Sequence, residues 1–351
     1  MIRVLTEVTL PPEILGLIFE KLGRVRNIHR IKRTCRAFRD AADRAVQAHR
    51  RVCFEEHDED VVAVAVAADG RVVTASLDKT IKVWRDGVCE CTIEAHTDVV
   101  TAVAVLPGGA RFVSASHDRT VKLWSLRGAL ERTVVVGDFV TCVAALPDGV
   151  HFVVGIHDHV GGVRLYHVDG TLVHTFEGHD EAVRSVAVTP DGQHIISCSD
   201  DNLIKVWSVA SKSLVSTCGV EDDDDPSTGG HAFGVRAVAA MPDGQRILSG
   251  GYDDTVRVWL LNGTLENTFE LHTGTVFALV ALPDNQHALS ASHDNTIKLF
   301  NVNDGAVLRT FKHNPRPGPV RSLALLPDGL RFVSCTSSSK TALIAYHGLA
   351  A

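Results

Sequence analysis

The sequence predicts a mostly β protein built from seven copies of one unit, preceded by a short helical segment. Three observations carry this. An aromatic closes each copy, at Trp84, Trp124, Tyr166, Trp207, Trp259, Phe300 and Tyr346, at spacings of 40 to 52 residues, and a repeat of that length marks a repeat architecture. Inside each copy the apolar pattern has period two and is rich in β-branched residues, as in 99–105 (Val-Val-Thr-Ala-Val-Ala-Val), which suits strands rather than helices. Residues 1–50 lack both features and hold 11 of the 35 Lys+Arg but only 5 of the 42 Asp+Glu, a net of +6 against −13 for the remainder. That asymmetry separates a module at 1–48 from one at 49–351.

In the first module, Leu10-Pro11-Pro12-Glu13 puts proline in a first helical turn and a carboxylate at the positive end of the helix dipole. Ile14, Leu15, Ile18, Phe19 and Leu22 then line one helical face, and Gly23 ends it. Asn27 caps a second helix carrying Ile28 and Ile31. A third, from Cys35 to Ala48, presents Phe38, Ala41, Ala42, Ala45 and Val46. Three such helices bury little surface alone, so their apolar face belongs either to a partner or to the rest of the chain.

The order Leu10-Pro11-Pro12-Glu13-Ile14-Leu15, then Ile18-Phe19, Leu22 and 32–40 (Lys-Arg-Thr-Cys-Arg-Ala-Phe-Arg-Asp) resembles the F-box over roughly residues 8–46, with Thr34 where that family usually has Val. The resemblance implies a three-helix domain that binds the Skp adaptor of a cullin–RING ubiquitin ligase. Leu10, Pro11, Ile14, Leu15, Ile18 and Leu22 would be the contact or contact-supporting residues, as apolar anchors in a partner groove.

The second module repeats an apolar segment, a turn, an apolar segment, a Ser-rich stretch, an Asp and a closing apolar strand. The turns are explicit at Pro147-Asp148-Gly149, Pro190-Asp191-Gly192, Pro242-Asp243-Gly244 and Pro327-Asp328-Gly329. Proline presets φ, Asp bonds nearby backbone and Gly takes the positive-φ position. Four short strands per unit of about 40 residues resemble the WD-repeat β-propeller, and seven copies imply seven blades. Residues 51–57 match 309–313, an outermost strand leading into the next copy, while the last copy ends at Tyr346 without one. A strand near 51–54 is therefore expected to pair with one around 341–346, closing the ring and removing an open sheet edge.

Polar residues recur with the strands. An Asp stands six positions before the aromatic as Asp78, Asp118, Asp201, Asp253 and Asp294, and the same copies carry His57, His96, His179, His231 and His272 ahead of their first strand. In WD-repeat proteins such a His, a strand Ser or Thr, the turn Asp and the aromatic form a buried network. The resemblance assigns that role to His96, Asp118 and Trp124, to His179, Asp201 and Trp207, and to His231, Asp253 and Trp259. Costly buried polar groups persist when they bond one another. The third copy has Gly137-Asp138 in place of Gly-His, with Asp158 in a turn two residues longer. The seventh has Lys340 at the Asp position. Both are expected to be locally weaker.

Composition sets bounds. No apolar run approaches the roughly 18 residues of a membrane span, and Glu7 and Glu13 interrupt any leader-like core, so no membrane partner is expected. The eight Cys are scattered, and Cys89-x-Cys91 has no second pair at zinc spacing. Reduced thiols in cytosol or nucleus are the expectation. The basic run 24–39 reads as a solvated helix face rather than a nucleic-acid contact. His157-Asp158-His159 resembles a metal fragment, but the repeat explains its Asp, so neither metal nor cofactor is expected. No Gly-x-Ser-x-Gly elbow occurs, and the four Asp at 222–225 lack calcium-loop spacing. They read as a surface loop or a contact for a basic partner. Nothing predicts an enzyme.

On the propeller reading, two positions per blade face the channel mouth. One comprises Leu77, His117, His157, Asp200, Tyr252 and His293. The other comprises Ala63, Thr101, Thr141, Arg184, Arg236, Phe277 and Arg321. Guanidinium forks bind carboxylate and phosphate in bidentate fashion. Arg184, Arg236 and Arg321 are therefore expected to anchor an acidic or phosphorylated peptide, with Tyr252, Phe277, His117, His157 and His293 adding contact. The alternative is that each Arg pairs with a nearby carboxylate, such as those at 221–225. Together the two resemblances imply a substrate-recognition subunit of an SCF-type ligase. The other reading is a non-catalytic WD-repeat scaffold with no ubiquitin role.

Overall fold

The computed structural model describes residues 57–157, 162–219, 229–312, 318–337 and 344–348. Those residues are all β. Six sheets hold four antiparallel strands each, and a further sheet holds three, Val320–Leu325, Arg331–Thr336 and Ile344–Gly348. The first strands of the sheets are β1 (Val61–Val66), β5 (Val100–Val105), β9 (Phe139–Ala145), β13 (Val183–Val188), β17 (Val235–Ala240), β21 (Val276–Ala281) and β25 (Val320–Leu325). Each packs beside the next, and β25 packs beside β1. Across that last seam the Val64 N–H donates to Ser322 Oγ at 3.3 Å. The result is a closed propeller with six complete blades and a three-stranded sheet between the last of them and the first. The expected three-helix segment, the closing strand at 51–54, Asp158, Lys340 and the insert at 221–225 lie outside the described residues.

Local chemistry accounts for the strands. The second strand of a blade, for example Val72–Ser76, is buried at every residue because it has a neighbour on each side and another blade on each face. In four of the sheets the hairpin before this strand turns on Pro-Asp-Gly. Gly149 N–H donates to Leu146 O at 3.1 Å, and Gly149 sits at φ 72°, where a Cβ would be strained. The core lies between successive blades. One cluster joins Val73, Ile81 and Val83 of the first sheet to Val100, Val103, Phe112 and Trp124 of the second. Each such buried Val, Ile or Phe stabilises by about 1.5–3 kcal/mol, so a blade has most of its stability only between two others.

Two bulges recur. One lies opposite the aromatic, between the third and fourth strands of every four-stranded sheet, as at Val83/Trp84 and Leu123/Trp124. The other interrupts the pairing of every first strand with its second, just after that pairing begins near the Asp turn. A bulge leaves one residue unpaired and re-aims its side chain.

Candidate functional site

Polar locks hold the blades in register. In five sheets a buried His bridges the turn Asp through Nδ1 at 2.7–2.9 Å and the second-strand Ser or Thr hydroxyl through Nε2 at 2.7–2.8 Å. In four of them the closing Trp donates Nε1–H to the same hydroxyl at 2.7–2.9 Å. Phe300 takes the Trp place in the sixth blade. His96, Asp118 and Trp124, His179, Asp201 and Trp207, and His231, Asp253 and Trp259 all stand in these networks. Burial pushes the His96 and His231 imidazoles below their ordinary value despite the carboxylates beside them. Burial alone would raise Asp253, but the hydrogen bonds and charge of His231, with Thr255, outweigh it and hold the carboxyl at about 2.

The third blade solves the problem differently. Val154 stands in the place of the Ser, and Tyr166 in that of the Trp. Asp138, where the His is missing, accepts from Arg164 at 2.8 Å, and the same guanidinium donates to Val136 O at 2.7 Å. An ion pair replaces the four-residue network.

The mouth of the ring is set by the first-strand bulges. The unpaired residues are Val62, Thr101, Thr141, Arg184, Arg236, Phe277 and Arg321. The expectation of Ala63 in the first copy was one residue off. Ala63 pairs with Ala75 and is buried in the core, and Val62 holds the equivalent place. Chemistry then divides the ring. Thr101 donates to Val140 O of the next blade at 2.7 Å, and Thr141 is bonded to Val183 O in the same way, so these two residues tie blades together. Arg184, Arg236, Phe277 and Arg321 follow them round the ring.

Three of those four form a continuous arc with Tyr252. Arg236 lies over Tyr252 at 5.5 Å and over Phe277 at 5.8 Å, and Arg321 lies over Phe277 at 4.4 Å. Each such contact contributes about 0.5–2 kcal/mol. His293 meets Phe277 edge-on at 6.0 Å. Arg321 Nε also donates to Ser337 Oγ at 3.2 Å. Arg236 Nε and Asp200 Oδ1 are buried with no hydrogen-bond partner in the protein. Arg184 behaves differently. It is half-buried and donates Nε–H to Asp200 Oδ2 at 2.7 Å, with a second nitrogen on the same oxygen. The expected carboxylate pairing therefore holds for Arg184, through Asp200, while Arg236 and Arg321 are paired to rings. Gly234 permits this packing, since a Cβ there would lie 3.1 Å from Asp200 Oδ1 and 3.2 Å from the Tyr252 ring.

His117 and His157, the latter the register partner of Phe139, belong to a second patch around Phe139 that the sequence reading missed. His117 packs at 5.4 Å against Phe139, which is 39% exposed, and Arg119 lies over the same ring at 5.1 Å. Phe233, 61% exposed just before β17, was also missed. The signal for both was an aromatic one or two residues before the first Val of the first strand, where the other copies carry none. Burial pushes Cys218 and Cys335 up to about 12, so neither is a thiolate near neutral pH. Cys89 and Cys91 pack on opposite sides of their strand, with Trp84 and with the Val83 cluster respectively, because Glu90 bulges between them. Among the described residues no group of three or more His, Cys, Asp or Glu is placed to hold a metal ion, and no helix is long and apolar enough to cross a membrane.

Blades locked by His–Asp–Trp networks around a closed ring define a repeat propeller whose rim is its variable surface. The model of the WD domain, G-beta repeat family matches residues 49–85, 87–125, 170–208, 226–259 and 263–301. That is more than half of the chain, which therefore belongs to the WD-repeat family. The unmatched stretches contain the third and seventh copies, where the recurring His–Asp pair is broken. An F-box-like model matches residues 8–55, so the chain combines an F-box-like domain with WD repeats. It is 32% identical over 103 residues to Polycomb protein EED of Chaetomium thermophilum, covering 29% of this chain and 18% of that protein. It is 34% identical over 100 residues to Apoptotic protease-activating factor 1 of Rattus norvegicus, covering 28% and 7%. It is 36% identical over 100 residues to Ribosome biogenesis protein YTM1 of Chaetomium thermophilum, covering 26% and 19%. The chain spans less than a fifth of the length of each of these relatives.

Proposed function

We propose that this protein is the substrate-recognition subunit of an SCF-type cullin–RING ubiquitin ligase. Residues 8–46 bind a Skp-type adaptor through Leu10, Pro11, Ile14, Leu15, Ile18 and Leu22, and through it a cullin. The strand near 51–54 completes a seventh blade, and the rim of the propeller holds the target. The protein performs no chemistry itself and works in cytosol or nucleus by raising the effective concentration of target beside the charged ubiquitin carrier.

The observation that supports this most is the bulge-borne arc of Arg236, Phe277 and Arg321 with Tyr252, in a chain that also carries an F-box-like match. Cationic forks on aromatic faces suit an acidic or phosphorylated segment. Because Asp200 already occupies Arg184, Arg236 and Arg321 are the principal anchors. Affinity purification coupled to mass spectrometry tests both halves. Ile14→Asp plus Leu15→Asp should remove the adaptor and cullin while leaving rim partners. Arg236→Ala plus Arg321→Ala should remove rim partners while leaving the adaptor. Retention of adaptor by the first variant, or of every partner by the second, would reject the corresponding half.

The second reading is a WD-repeat scaffold without a ubiquitin role. It is favoured by the similarity of the repeats to Polycomb protein EED and Ribosome biogenesis protein YTM1. Absence of any Skp-type adaptor from the wild-type purification would select it.

A further inference from the structure

The outer ring of mouth positions, Leu77, His117, His157, Asp200, Tyr252 and His293, has a seventh member in Ser337, which directly follows β26 (Arg331–Thr336). The backbone places it as it places the others. Ser337 N–H donates to Pro319 O at 3.0 Å, as Asp200 N–H donates to Ala182 O at 3.1 Å and Tyr252 N–H to Gly234 O at 3.0 Å. Asp200 follows the bulge residue Arg184 by 16 positions, and Ser337 follows the bulge residue Arg321 by the same 16.

The fourth blade and the three-stranded sheet therefore hold one pair of positions in two chemical states. In the fourth blade Arg184 Nε–H goes to Asp200 Oδ2 at 2.7 Å and a second nitrogen joins the same oxygen, so the guanidinium is occupied. In the three-stranded sheet Arg321 Nε–H goes to Ser337 Oγ at 3.2 Å, a neutral acceptor, and the guanidinium lies over Phe277. An acidic group on that oxygen gives this sheet the arrangement the fourth blade already has. Ser337 is suited to acquire one. It is partly exposed, it is the only Ser or Thr of the outer ring, and its hydroxyl oxygen accepts from a cation. Thr101 and Thr141, the hydroxyls at the bulges, instead donate to carbonyls of the next blade.

We propose that Ser337 is a phosphorylation site and that its phosphate clamps Arg321 as Asp200 clamps Arg184. A protein kinase supplies the phosphoryl group from ATP. The Oγ–P bond forms as the bond to the β-phosphate oxygen breaks, ADP leaves, and the hydroxyl proton is released. The product carries about −1.5 to −2 charges near neutral pH and three acceptor oxygens, which suit a guanidinium fork. Arg321 is then satisfied within the chain, and the rim offers an acidic partner one anchor fewer. This last consequence rests on the rim reading under Proposed function; the modification and the ion pair do not.

The test uses the full-length chain. Tandem mass spectrometry of the protein isolated from its own cells under phosphatase inhibition should find phosphate on Ser337. With phosphoserine encoded at position 337, a phosphorus NMR titration reads the second pKa of the phosphate, about 6 when free. It should be lower with Arg321 in place than in the Arg321→Ala variant by at least about 0.5. Arg321→Gln serves as the comparison if thermal unfolding shows Arg321→Ala to be misfolded. Partners that Arg236→Ala plus Arg321→Ala releases should be captured at least about fivefold less by the phosphorylated chain, and phosphatase should restore them. An unmodified Ser337 in cells, or equal phosphate pKa values with and without Arg321, would overturn the proposal. If the Arg236 and Arg321 double variant releases no partner, the rim reading fails, and the phosphorus titration still decides the clamp. If it releases partners and phosphorylation does not, the regulatory consequence is rejected.

Discussion

Ser249 is the keystone of the fifth blade's network, and its replacement by Ala gives a sharp test of how these blades are held. Its hydroxyl meets His231 Nε2 at 2.7 Å and accepts from Trp259 Nε1 at 2.7 Å. Ser249 is fully buried, Trp259 is 1% exposed and His231 5%, so water cannot replace what is lost. Removing one oxygen opens almost no cavity but strands two buried polar groups at about 1–3 kcal/mol each. The expected loss is about 3 kcal/mol, read as a lower urea midpoint at unchanged slope, or a melting temperature lower by roughly 5–10 °C. Trp259→Phe is the natural comparison, because Phe300 occupies that place in the sixth blade while Ser290 still bonds His272 at 2.7 Å. In the Trp259→Phe background, Ser249→Ala strands only the His, so the double variant should be less destabilised than the sum of the singles by at least about 1 kcal/mol. A single-variant loss below about 1 kcal/mol, or strict additivity, would refute the claim that these hydroxyls are shared acceptors locking the blade.

Other consequences are measurable in the same way. Lys79 sits at φ 70°, where Asn202 and Asn295 stand in equivalent turns. Lys79→Asn should therefore stabilise by about 0.5–1 kcal/mol, and a lower urea midpoint would contradict that. His96 and His231, with folded values below 6.5, bind fewer protons folded than unfolded, so their share of stability is present above pH 6.5 and lost below it. Asp253 adds a second loss as pH falls from 3.8 towards about 2. Thermal stability should thus decline in two stages on acidification, and a flat profile between pH 7 and 5 would exclude the histidine stage. Gly250→Ala would place a Cβ 2.6 Å from Val276 Cγ1, an overpacking that should cost about 1–3 kcal/mol; an unchanged urea midpoint would show that the neighbouring blade yields. Asp200→Asn releases Arg184 and should strengthen capture of an acidic rim partner several-fold, whereas unchanged or weaker capture would show that Arg184 takes no part.

Much of this was legible in the residues. The network positions were readable because His, Ser or Thr, Asp and Trp all lie within one repeat, at separations that recur from copy to copy. The divergence of the third copy was readable too, as Gly137-Asp138 without a His, but its remedy was not, because Arg164 sits where four other copies carry a strand Lys and the fifth carries Arg257. Of the expected rim residues, Arg236, Tyr252, Phe277, Arg321 and His293 come together, whereas Arg184 turns to Asp200, and His117 and His157 belong with Phe139.

By itself the sequence determined the β class, the repeat length, the turns and the polar locks, because each arises from residues close together in one copy, where side-chain chemistry and backbone preference act locally. The tertiary structure decided that Val62, not Ala63, is the unpaired residue of the first copy, where the adjacent Val61 and Val62 leave the start of the strand ambiguous in the sequence; the other six positions were legible. It also decided that Thr101 and Thr141 tie neighbouring blades while Arg236, Phe277 and Arg321 stack into an arc, since those contacts join residues from different blades that become neighbours only when the ring closes.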